Sequence, residues 1–129
     1  MTQFISALAL IVPDYDQAIA FYVGLLGFDL VEDTEISEDE RRVLVAPQGS
    51  TETRILLTLP ENEAQEEVIG EQAGNRIFLI LETFDFDTDI ALMERAGIDI
   101  IEEPRIESVG KLAVFRDPFG NKWELVERH

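Results

Sequence analysis

The first apolar run, FISALALIV over 4–12, is short and rich in Ile, Leu and Val, the pattern of a strand covered on both faces. The period then lengthens. In DYDQAIAFYVGLLG the residues Ala18, Phe21, Tyr22 and Leu25 form one helical stripe, Asp14 stands where a cap belongs with Gln17 as its capping-box partner, and Gly27 follows as the stop. Three strand candidates come next, FDLVED (28–33), RRVLVA (41–46) and TRILLTL (53–59), separated by the acidic TEISEDE and the turn-like PQGSTE. The stretch 60–75, PENEAQEEVIGEQAGN, is acidic and weakly apolar, which predicts a surface connector with room for one helical turn.

After the connector the order repeats: a strand over 76–82, a helix from Asp85 to Ala96, and strands over 98–103, 111–115 and 122–127. The two halves match in letters where helix passes to strand, GFDLVED at 27–33 and GIDIIEE at 97–103, so the chain carries an internal duplication. Either half alone leaves one sheet face bare, and the two must pack or pair to close a core. The expected class is α+β, with βαβββ repeats over 4–59 and 76–127 inside a single domain spanning 1–129.

Composition narrows the chemistry. No apolar run reaches the roughly 18–20 residues of a membrane helix, and the N-terminus lacks a basic region and a small-residue cleavage site, so a cytoplasmic protein is expected. The absence of cysteine excludes disulfides, thiolate metal sites, iron–sulfur clusters and cysteine nucleophiles. A formal charge of −17 speaks against nucleic-acid and membrane partners, since the densest basic spot is Arg41 and Arg42, which read as rim charges beside SEDE. The acidity itself reads as a solvated surface, or as a preference for a cationic ligand. A Ser/His/Asp triad would need His129, the single histidine at the chain end, and the glycines stand singly rather than in a phosphate loop.

Two motifs at opposite ends carry a resemblance. VPDYDQAIAFYVGLLGFDLVEDT, with Asp14, Ala18, Phe21, Tyr22, Leu26, Gly27 and Phe28, resembles the opening of the vicinal oxygen chelate superfamily, the glyoxalase/bleomycin resistance protein/dioxygenase group. VFRDPFGNKWELVE resembles its closing hairpin, with Asp117, Pro118, Gly120 and Asn121 in the turn and Glu124 on the last strand. The resemblance implies a half-open barrel from each βαβββ unit, a cavity and a homodimer. It does not imply an activity, because this superfamily hosts isomerases, dioxygenases, thiol transferases and metal-free binding proteins.

In metal-dependent members four ligands line the cavity, and the resemblance puts their positions at Ala7, Leu56, Phe78 and Glu124. Ala, Leu and Phe cannot donate to a divalent ion, so no cofactor is expected; an all-oxygen Mg or Mn site through Glu124 and Glu82 is the disfavoured alternative. Period-two alternation puts Arg54 and Thr58 on the face of Leu56, Ile80 and Glu82 on that of Phe78, and Lys122 and Val126 on that of Glu124. The expected pocket is an apolar box in which Arg54, Leu56, Phe78, Glu82 and Glu124 meet a small organic ligand. An Arg54–Glu124 ion pair is the equal alternative to direct ligand contact. Trp123 alternates with Glu124 and is expected to pack beneath a helix. The reading is a metal-free binding protein for a small, cation-tolerant organic molecule; the alternative is a glyoxalase-like lyase or isomerase with Glu124 as its catalytic acid or base, using an oxygen-ligated metal or none.

Overall fold

The structure, a computed structural model, describes residues 2–129. The chain divides after Val68 into two compact units. The first holds β1 (Ala7–Ile11), α1 (Tyr15–Ile19) running on as a π-helical turn over Ala20–Leu25, β2 (Asp29–Glu35), β3 (Arg41–Ala46), β4 (Arg54–Thr58) and α2 (Glu63–Glu67). The second holds β5 (Gln72–Asn75), β6 (Ile77–Glu82), α3 (Phe86–Ala96), β7 (Asp99–Ile106), β8 (Gly110–Arg116) and β9 (Lys122–Arg128). Each unit contains one open four-stranded sheet, ordered β1-β4-β3-β2 and β6-β9-β8-β7. In each, the first and last strands of the βαβββ order run parallel and the other pairs antiparallel, so the duplication seen in the letters is repeated in the topology of two half-open barrels.

The helix ends form where capping chemistry puts them. Asp14 Oδ2 accepts from the Gln17 amide at 2.8 Å and Asp85 Oδ1 from the Thr88 amide at 3.4 Å, each satisfying a backbone donor with no partner inside the helix. The first helix departs from the expected regular α form: Leu26 N donates to Phe21 O at 2.8 Å, a five-residue closure that widens the last turns. The connector is more ordered than its composition predicts. Asn62 Oδ1 accepts from Gln65 N at 2.9 Å and Gln65 Oε1 accepts from Glu61 N at 2.8 Å, a reciprocal cap that starts α2 without an apolar face.

In the first unit one sheet face, carrying Leu10, Val43, Val45, Ile55 and Leu57, is buried, as are Ala18, Phe21 and Tyr22 of the first helix. The other face carries Ala7, Ala9, Ile11, Leu44, Leu56 and Thr58, all half-buried or exposed. β1 is therefore covered on one face and not on both: it is an edge strand, and the apolar run that precedes it leaves Phe4 and Ile5 exposed.

In the second unit Ala113, Phe115, Trp123 and Leu125 form the buried layer with Phe86, Ile90 and Met93 of α3. Trp123 stacks on Phe115 with ring centres 5.8 Å apart, and Glu127, on the same face of β9, accepts from the Phe86 amide at 2.8 Å, so Trp123 does face the helix side. The hairpin between β8 and β9 is built around buried Asp117. Its Oδ1 accepts from the amides of Phe119, Gly120 and Asn121 at 3.0, 2.9 and 2.9 Å, and its Oδ2 from Asn121 Nδ2 at 2.8 Å. The chain end is held as well, since the His129 amide donates to Val109 O at 3.1 Å.

Candidate functional site

Register decides what the open face of the first unit presents. β1 and β4 pair Ala7 with Arg54, Ala9 with Leu56 and Ile11 with Thr58, while β3 puts Leu44 beside Leu56. The alternation expected for Arg54, Leu56 and Thr58 holds, because the two buried residues between them, Ile55 and Leu57, point to the helix. Ala7 and Leu56 thus lie diagonally on one face. Arg54 is half-buried there, and its Nε is fully buried with no hydrogen-bond partner among the described residues. An unmade hydrogen bond from a buried guanidinium nitrogen is costly, and it marks a place where an acceptor would be stabilising.

A cavity of about 540 Å³ opens at the end of this sheet, where β4 leaves and β3 enters. Leu56 and Thr58 belong to its wall, together with Tyr15, Ile36, Leu59 and Pro60, and its charged lining is Asp39, Glu40, Arg41, Arg42 and Glu61. Of these only Leu56 was expected as a contact and Thr58 as a face neighbour. The rest were missed because they sit in the turn between β2 and β3 and in the exit from β4, where no period assigns a side to a residue.

Arg41 anchors that turn. Its Nε and Nη2 fork onto Asp33 at 3.1 and 2.7 Å, its Nη1 reaches Asp16 at 3.0 Å, its amide donates to the Tyr15 hydroxyl at 3.3 Å, and its guanidinium lies 5.2 Å from the centre of the Tyr15 ring. The hydrogen bonds from Arg41 hold the Asp33 carboxyl below the usual carboxylate range, and those to Asp33 and then Asp16 raise the guanidinium further above its ordinary value. Arg42, on the opposite face, reaches Glu32 at 3.8 Å. The expected rim role of the two arginines holds for Arg42; Arg41 ties β2, β3 and α1 together.

In the second unit a bulge falls at Phe78, since Ile77 pairs with Lys122 and Leu79 with Trp123. Ile80 then stands opposite Glu124 and Glu82 opposite Val126, which puts Ile80, Glu82 and Glu124 on one face as expected. Glu82 is exposed and pairs with Arg128 at 3.1 Å. Lys122 donates to Asn75 O at 3.0 Å. Glu124 is half-buried and makes no side-chain hydrogen bond or ion pair among the described residues, so no second acid, base or nucleophile is bonded to it.

The donor set does not fit the metal that the resemblance implies. Ala7 and Leu56, the two positions on the first unit's open face, carry no donor atom, Phe78 carries none on the second, and among the described residues no group of three or more His, Cys, Asp or Glu could hold an ion.

The comparisons with known proteins follow this geometry. An uncharacterized protein of Shewanella frigidimarina (strain NCIMB 400) is 44% identical over 128 residues, covering 98% of this chain and 95% of the relative. TnmS3, an antibiotic binding protein from Streptomyces sp. CB03234, superposes with a TM-score of 0.79 at 27% identity, covering 100% of this chain and 99% of that one. A glyoxalase/bleomycin resistance protein/dioxygenase superfamily member from Sphaerobacter thermophilus DSM 20745 superposes at 0.78 with 28% identity, covering 98% of each chain. The family model of the same description matches residues 4–125, and the chain belongs to the Glyoxalase/Bleomycin resistance protein/Dioxygenase superfamily.

Proposed function

We propose that this chain is a metal-free binding protein that holds a small amphipathic organic molecule on the open face of its first unit. The observation that carries the reading is the cavity beside Leu56 and Thr58, with an apolar wall and few polar groups, on a face whose family metal positions are Ala7 and Leu56. TnmS3, described as an antibiotic binding protein, supports the same class of ligand. The acidity of the chain favours a ligand that carries positive charge. Arg54 supplies orientation through its unpartnered Nε. Glu82 and Glu124 are the polar contacts proposed for the second unit, with Phe78 as an apolar one. We take the protein to act in the cytoplasm as a homodimer; among the described residues no helix is long and apolar enough to cross a membrane.

The test is calorimetric titration of the purified chain with a panel of amphipathic organic molecules, before and after exhaustive chelation, beside elemental analysis for Mn, Mg, Ni and Zn. Binding that survives chelation unchanged and is abolished by Leu56→Arg is the expected result. Stoichiometric metal, or binding that disappears with it, would refute the reading and move the protein to the lyase or isomerase class.

A further inference from the structure

We propose that the first unit's site selects a bipolar ligand: a cationic group at one end, a carboxylate or carbonyl at the other, and an apolar body between them. This rests on the small-molecule reading above and names its ligand class. β4 sets the axis. Arg54, Leu56 and Thr58 stand in period two on one face, and the chain then leaves through Pro60 to Glu61. At about 3.3 Å per residue, Arg54 and Thr58 are roughly 13 Å apart along the strand.

The two poles differ in what they lack. At the Arg54 end a guanidinium nitrogen is buried with no acceptor among the described residues, and a carboxylate or carbonyl oxygen would complete it with a charge-assisted bond. At the other end the cavity is lined by Asp39, Glu40 and Glu61, none of which has an ion pair or side-chain hydrogen bond among the described residues. The arginines beside them are committed elsewhere, Arg41 to Asp33 and Asp16, Arg42 to Glu32. The free charge in the cavity lining is therefore negative. An ammonium there meets three carboxylates, while the middle of the axis, Leu56 with Ile36, asks for hydrocarbon. Net acidity would attract a cation to any part of the surface; the unpartnered arginine one cavity-length away makes the demand two-ended.

The experiment titrates the full chain calorimetrically with three probes of equal chain length: aminoundecanoate, undecylammonium and undecanoate, below their aggregation limits and at two salt concentrations. The zwitterion is expected to bind at least about tenfold tighter than either single-headed probe. Arg54→Met should reduce the zwitterion to the affinity of undecylammonium, and the exposed pair Asp39→Asn with Glu40→Gln should reduce it to that of undecanoate. The second variant alters only surface turn residues, so it remains informative if Arg54→Met fails to fold, which circular dichroism would show. Equal affinities for the three probes, indifferent to both variants but lost in Leu56→Arg, would overturn the bipolar assignment and leave the binding cavity standing. Binding of every probe that is also indifferent to Leu56→Arg would overturn the cavity reading itself.

Discussion

Replacing Gly70 by alanine isolates a close approach on which the second unit depends. Gly70 has φ +80, and a Cβ built there would lie 1.8 Å from Phe119 O and 2.7 Å from Phe119 C, inside the turn that Asp117 organises. Gly97, at the end of α3 in the same unit, has φ +77 and nothing within 4 Å of its would-be Cβ. Both substitutions incur the left-handed backbone penalty, about 1–2 kcal/mol. Only Gly70→Ala must also push apart two backbone segments, for which overpacking costs of about 1–3 kcal/mol are the guide. Gly97→Ala should therefore lower unfolding free energy by about 1–2 kcal/mol and Gly70→Ala by about 2–5. The assay is equilibrium urea unfolding of both variants at matched m-values, with amide exchange at Gln72, whose N–H points to Asn121 Oδ1 at 3.5 Å, as a local readout. Faster exchange there is expected in Gly70→Ala alone. Equal losses in the two variants, with Gln72 unaffected, would show that the contact of Gly70 with the Phe119 carbonyl does not hold the turn.

The remaining expectations address the first unit. Leu57 is fully buried, so Leu57→Ala should cost about 2–5 kcal/mol in urea unfolding, whereas Leu56→Ala, half-exposed in the cavity wall, should cost under about 2 kcal/mol and weaken ligand binding instead. The Asp33 carboxyl is held below its ordinary value of 3.8 by Arg41, so it contributes stability above that pH which is lost as pH falls through the lowered value. Asp33→Asn should remove that part of the acid limb of a stability–pH curve, with a loss below about 1 kcal/mol at neutral pH because the pair is partly exposed. An unchanged acid limb would mean that the Arg41 fork is not formed in solution.

What was legible in the sequence is what has a period or a cap. Asp14 and Asp85 placed the helix starts to the residue, and the alternation of Trp123 with Glu124 put the ring on the helix side, because β9 pairs with β8 without a shift. β6 shows where that logic weakens: its bulge at Phe78 adds a residue to the count, and the facing of Ile80 with Glu124 follows only from the register beyond it. The π turn of the first helix was invisible for a related reason, since its apolar stripe reads as α and the five-residue closure at Leu26 depends on packing around Phe21 and Tyr22. The expectation of a doubly covered β1 failed because composition reports how apolar a strand is, not how many neighbours it has. The candidate site divides along the same line. Arg54, Leu56 and Thr58 lie on a strand, and alternation found their common face. Asp39, Glu40 and Glu61 reach the cavity from a turn and a strand exit, where the acidic run SEDE looks like any solvated surface. Only the fork of Arg41 onto Asp33 and Asp16 fixes that turn beside the cavity, and this is a contact between residues 8 and 25 positions apart. The groups that would choose a ligand's charge are thus set by long-range ion pairs, while those that would hold its apolar body are set by local alternation.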